Sequence, residues 1–146
     1  MEKTGNNKII KTREFGEITV EPQYIFNFPS GLLGFENLIE FVLVSVEDTA
    51  PFKWLISIDQ PEIGFILLSP WLVDSHYNPG KSVDTETNAV FVVIKLEKDR
   101  GEMSANMKAP VVLDAENNIG EQIILPSDKF STNYVINGSK EPQGNR

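Results

Sequence analysis

Cysteine is absent from this 146-residue chain, and histidine occurs once, at His76. The first absence removes disulfide frameworks, thiolate metal sites and cysteine nucleophiles together. The second leaves no pair of imidazoles to complete a metal site and no partner for a catalytic triad. Long apolar runs are lacking too. The longest, Ala89 to Ile94, falls far short of the roughly 20 residues that a membrane-spanning helix needs. The opening MEKTGNNKII carries charge with no apolar stretch behind it, so no secretory signal is expected. The expectation is a soluble cytoplasmic protein that engages no membrane.

Bases are scarce through the body of the chain. Between Phe15 and Glu97 twelve acids face only Lys53, Lys81 and Lys95, a net of −9 where the whole chain carries −8. Such a surface repels phosphate backbones, so direct nucleic-acid binding is not expected. Solubility is one reading of this charge. Complementarity to a basic protein partner is the other.

Helical periodicity is nearly missing, and short β-type runs take its place. KIIKTREF (Lys8 to Phe15) passes through Gly16, a bend or bulge, into EITV (Glu17 to Val20). Tyr24 to Phe28 is aromatic and β-branched, and Pro29 stops it. FVLVSV (Phe41 to Val46), WLISI (Trp54 to Ile58), GFILLS (Gly64 to Ser69) and AVFVVIKL (Ala89 to Leu96) form a central block. APVVLD (Ala109 to Asp114) and EQIIL (Glu121 to Leu125) flank AENNIG and read as a hairpin. The nearest approach to a helix, Phe35 to Phe41, supports at most one turn.

With turn signals every eight to twelve residues or so, this spacing belongs to small barrels and sandwiches rather than to βαβ units. The expected fold is all-β, a small antiparallel barrel-like or two-sheet domain with little or no helix. It occupies residues 1–146 as a single domain with an ordered core over about 8–136 and polar, frayed ends. Asp74 to Asn88 reads as a polar connector between two apolar strands.

Groups for catalysis are few. His76 sits in the polar connector, where a solvated loop position is the plain reading. Acids are plentiful, but Glu47-Asp48 and Asp59/Glu62 lie beside Pro51 and Pro61, where turns attract carboxylates anyway. Asp114 to Asn118 faintly resembles a calcium loop, yet it lacks the glycine at its sixth position and places Leu125 where the closing glutamate belongs. Gly31-Leu32-Leu33-Gly34 has no following lysine and is no phosphate loop. No catalytic residue, metal site or cofactor site is expected.

Apolar side chains do occur where loops are expected. SGLLGFENL places Leu32, Leu33 and Phe35 among glycines just after Pro29, and PWLV puts Trp71 and Leu72 where a strand should end. Either these side chains plug the ends of a barrel, or they form an exposed patch that anchors a protein partner.

Four strings, in order, resemble the FliW family of flagellar assembly factors, over roughly residues 11 to 125. KTREFGEITV resembles its opening strand pair. IFNFPSGLLGFENLIEFVLV is similar to its phenylalanine-proline-x-glycine-leucine-x-glycine-phenylalanine-glutamate signature and the strand after it. PFKWLISIDQPEIGFILLSPWL is similar to the next block, and MSANMKAPVVLDAENNIGEQIIL resembles the closing hairpin with its asparagine-x-lysine-alanine-proline core. The main departure is Asp74 to Asn88, a short loop on Asn78-Pro79-Gly80 where family members carry a longer, acidic and partly helical segment.

The resemblance implies a non-catalytic protein that binds flagellin in the cytoplasm and antagonises the RNA-binding translational repressor CsrA. Unexported flagellin would occupy it and leave the repressor free to silence flagellin translation. Export of flagellin would release it to lift that repression, an exchange by mass action that needs no cofactor. The partner-binding candidates implied are Leu32, Leu33, Phe35 and Glu36 in the first loop, with Asn106 and Lys108 before the closing hairpin. For Asn106 and Lys108 the competing role is a structural hydrogen bond. Three other functions compete: a flagellin chaperone without repressor control, a small-ligand-binding β-barrel, and a hydrolase built on two carboxylates.

Overall fold

The computed structural model describes residues 8–97 and 99–136, so the ends expected to fray lie outside the described residues. β1 (Lys8–Thr12) and β2 (Gly16–Val20) form an antiparallel hairpin with Thr12 opposite Gly16. Arg13 to Phe15 make the turn instead of continuing the strand. The Thr12 hydroxyl donates to the Gly16 carbonyl at 2.9 Å and accepts the Phe15 N–H at 2.9 Å. Gly16 enters β2 at φ +65°, a left-handed conformation that suits a residue without Cβ.

The other strands make one sheet that closes on itself. β3 (Ile25–Asn27), β4 (Glu40–Val44), β5 (Lys53–Ser57), β6 (Gly64–Leu68) and β7 (Ala89–Glu97) follow one another antiparallel. β9 (Val111–Asp114) pairs with the first half of β7, and β10 (Ile119–Gln122) pairs with β9. β10 then meets β3 in the single parallel contact, Ile119 opposite Asn27, which closes a seven-stranded barrel. β8 (Glu102–Ala105) pairs with the second half of β7 and carries β11 (Tyr134–Ile136) outward as an extension of the sheet.

One bridge pair is a thin seam, and Asn118 reinforces it. Held at φ +56° in the β9–β10 turn, its side-chain amide donates to the Gln23 and Ile25 carbonyls at 3.0 and 2.8 Å. The turn itself is shaped by Asp114. Its carboxylate takes the Asn117 side-chain amide at 2.8 Å and the Asn117 and Glu116 N–H groups at 3.2 and 3.1 Å. Those bonds, the Asn117 amide foremost, hold the carboxyl below its ordinary range.

Alternation along each strand divides the apolar side chains between two faces. Phe41 and Leu43 of β4, Leu55 of β5, Leu67 of β6 and Phe91 of β7 fill the interior with Phe26, Phe28 and Leu113. The opposite face of β4 and β5, through Val42 and Ile56, packs on Ile10 and Val20 of the β1–β2 hairpin. Val90, Val92 and Ile94 of β7 pack outward against Tyr77, Val83 and Leu125. With both faces covered, these strands read as nearly continuous apolar runs.

Three elements differ from the sequence expectation. β8 escapes notice because Glu102, Met103, Ser104 and Ala105 include no β-branched or aromatic side chain. β11 is only three residues long. Pro70–Val73 forms one helical turn, α1, rather than the end of a strand, and proline at its first position suits that role. The 74–88 connection also does more than join strands. Tyr77 and Val83 within it are each 5% exposed and belong to the outer core.

Candidate protein-binding surface at the barrel mouth

Residues 29–39 join β3 to β4 and close one end of the barrel. The loop folds back sharply: the Gly31 N–H donates to the Phe28 carbonyl at 2.9 Å, and the Phe35 N–H to the Leu32 carbonyl at 2.7 Å. Gly31 lies at φ +66°, and a Cβ there would stand 2.6 Å from the Glu36 Cα, so the glycine is fixed by space as well as by torsion. This geometry gives adjacent side chains opposite fates. Leu32, one of the partner-binding candidates, points inward at 3% exposure and joins the interior core. Leu33 points out at 47%, and its N–H is held by the Gln122 side-chain oxygen at 2.9 Å.

Phe35, 37% exposed, sets its ring edge-on to Phe65 with centroids 5.2 Å apart. Glu36 is exposed, and its carboxylate accepts the Gly34 N–H at 3.1 Å, bracing the loop tip. Leu33 and Phe35 therefore form an exposed apolar pair on a rigid frame, which limits the entropy lost when a partner orders them.

Beside them lies a cleft of about 310 Å³ where β7 forks between β9 and β8. It brings Leu33 together with Asn106, as well as Phe65, Lys95, Ser104 and Gln122. The last four were not singled out from sequence. Lys95 leaves a signal, because it is a polar residue on the inward-facing step of a largely apolar strand. Among the described residues Lys95 is the one ionisable group lining the cleft, and it sits 3.3 Å from the Glu97 carboxylate. The acidic surplus is carried elsewhere, on exposed loop residues such as Glu47, Asp48, Asp59 and Glu62.

Asn106 and Lys108 serve the fold from the 106–110 segment. The Asn106 side-chain oxygen accepts the Lys108 and Ala109 N–H groups, both at 3.1 Å, while its own N–H donates to the Val93 carbonyl at 3.1 Å. The Lys108 ammonium donates to the Ser127 carbonyl at 2.9 Å and lies 3.6 Å from the fully exposed Asp128 carboxylate. Lys108 thus faces the 125–131 segment, apart from the Leu33 cleft. His76 is exposed, with its backbone N–H on the Asp74 carboxylate at 3.0 Å. Among the described residues no group of three or more histidine, aspartate or glutamate side chains converges to hold a metal, and no helix is long and apolar enough to cross a membrane.

Comparison with known proteins agrees with this architecture. The family model described as FliW protein matches residues 8–136. Flagellar assembly factor FliW of Carboxydothermus hydrogenoformans is 38% identical over 135 residues, covering 86% of this chain and 87% of the relative. Flagellar assembly factor FliW of Caldanaerobacter subterraneus subsp. tengcongensis is 34% identical over 139 residues, covering 87% and 91% respectively. A crystal structure of the flagellar assembly factor FliW superposes with a TM-score of 0.77 at 26% identity, covering 88% of this chain and 96% of that one. The chain belongs to the FliW family of flagellar assembly factors.

Proposed function

We propose that this protein holds flagellin in the cytoplasm and, when free of it, binds and antagonises a CsrA-type translational repressor, without catalysing a reaction. The observation that carries the proposal is the Leu33–Phe35 pair. Two large apolar side chains stand exposed on a family-signature loop whose neighbour Leu32 is locked in the core. Exposed aromatic and aliphatic side chains on a rigid base are how protein partners are anchored. The acidic loops supply long-range attraction toward a basic, RNA-binding repressor while discouraging RNA itself.

Two features favour holding over chemistry. Among the described residues no three acids converge, and the barrel interior is occupied by the fully buried Phe28, Phe41, Leu55 and Leu67. That is the packing of a filled barrel rather than of a ligand-holding one. The test is co-purification of this protein, as bait, with flagellin and with the repressor from flagellated cells. Capture of both supports the proposal, capture of flagellin alone supports a chaperone without repressor control, and capture of neither refutes both.

A further inference from the structure

A second groove lies on the far side of β4. Pro22–Tyr24 joins β2 to β3 as a 3-10 turn. There the Tyr24 N–H donates back to the Glu21 carbonyl at 3.0 Å, and the Ile25 N–H turns to the Pro22 carbonyl. β3 accompanies β4 only as far as the Ile25–Val42 pair, and β2 pairs with β1 rather than with β4. Between them lies a groove of about 370 Å³ lined by Ile18 to Glu21, Tyr24, and Val42 to Ser45. Three consecutive residues from each strand, with Glu21 and Ser45 just beyond them, line it. Since side chains alternate between faces, a wall made of consecutive residues is a wall of backbone.

That backbone has unused hydrogen-bonding groups. The Ile58 N–H donates to the Glu40 carbonyl at 3.0 Å and the Phe28 N–H to the Ile39 carbonyl at 2.7 Å. Even-numbered residues of β4 therefore face β5, and odd-numbered ones face the β3 side, so Leu43 and Ser45 present their N–H and C=O to the groove. Among the described residues, no backbone hydrogen bond outside the strand ladders reaches either one. β2 is paired along one edge only, with β1, so alternate residues of its other edge face the groove as well. Open strand edges of this kind pair with another chain unless something blocks them.

We propose that this groove is a strand-acceptor site that takes an extended segment of a partner chain. Two features of the lining set its chemistry. The half-buried Ile18, Leu43 and Val44 call for apolar side chains on the segment, and Glu21, the one carboxylate among the described lining residues and held by the Gln23 side-chain amide at 2.7 Å, calls for a base opposite it. Resting on the function proposed above, the segment belongs to flagellin, which adds a main-chain contact distinct from the Leu33–Phe35 pair.

The test is backbone amide exchange of this protein alone and with purified flagellin, together with binding titrations of three variants. The proposal expects the Leu43 and Ser45 amides to slow on binding. Ser45→Pro removes one groove-facing donor and should weaken binding roughly three- to tenfold. Ser45→Ala keeps the N–H and should bind as the unaltered protein does, while Glu21→Lys should weaken binding. If Ser45→Pro does not fold, Glu21→Lys and the exchange data decide. Flagellin binding that leaves both amides unprotected and ignores Glu21→Lys overturns the groove and spares the proposed function. No binding by the unaltered protein overturns the flagellin assignment and that function with it. Self-association that protects the same amides overturns the assignment in favour of a second copy.

Discussion

The Tyr77 hydroxyl donates to the Met107 carbonyl oxygen at 2.9 Å and fastens the 74–88 connection to the outer face of the barrel. The Tyr77 ring stands edge-on between Trp71 and Phe130, at 5.8 and 5.3 Å, and the Trp71 indole N–H donates to the Tyr77 carbonyl at 2.9 Å. A connection that is polar in sequence is thus anchored by one buried aromatic.

Burial pushes the Tyr77 phenol from its ordinary 10 up to about 12. The unfolded chain releases this proton near pH 10 while the folded chain keeps it to about pH 12. The neutral phenol's contribution to stability is therefore complete below pH 10 and lost as pH rises through 12. Tyr77→Phe should abolish that alkaline slope. It should also lower stability at neutral pH by about 1–3 kcal/mol, because the Met107 carbonyl is left without its partner. Denaturant titrations between pH 7 and 12 check both.

Gly120 leaves room for the Phe28 ring, which a Cβ would overlap at three of its carbons. Phe28 is fully buried and meets Phe41 edge-on at 5.2 Å, so the ring has nowhere to retreat. Gly120→Ala should cost about 1–3 kcal/mol by overpacking. Trimming the ring with Phe28→Leu in the same chain should recover part of that loss, giving a favourable coupling in a double-mutant cycle.

The inward Leu32 and outward Leu33 separate folding from binding. Leu32→Ala should destabilise by about 2–5 kcal/mol, as for other buried leucines. Leu33→Asp should change stability by no more than about 0.5 kcal/mol and still abolish capture of a partner. Melting curves read beside a pull-down of each variant show whether the two effects part.

Much of the fold is legible in the sequence because strands covered on both faces read as nearly continuous apolar runs. Phe41 to Val44 and Trp54 to Ile58 announce their strands by composition alone. The hidden parts depend on partners distant in sequence. β8 has no propensity signal of its own and is a strand because the end of β7 supplies its hydrogen bonds. The site is less legible for the same reason. Leu32 and Leu33 are identical in sequence, and only the left-handed turn at Gly31 sends one inside. Gln122 reaches Leu33 across 89 residues of chain, a relation no local pattern encodes.

Lys108 makes two contacts of unequal worth. Asp128 is fully exposed, so Asp128→Asn should leave the unfolding temperature unchanged. Lys108→Met also removes the 2.9 Å bond to the Ser127 carbonyl and should cost about 1–2 kcal/mol by freeing the 125–131 segment. Thermal unfolding of the two variants distinguishes them.

Partner exchange is the central claim, and competition measures it most directly. A preformed complex of this protein with the CsrA-type repressor is titrated with flagellin, and the released repressor is followed by its recovered binding to flagellin messenger RNA. The account expects flagellin to displace the repressor in proportion to its concentration and RNA binding to return. It also expects the repressor complex to weaken with rising salt, as attraction by the acidic loops requires. A stable ternary complex, or a repressor that stays bound at saturating flagellin, would contradict it.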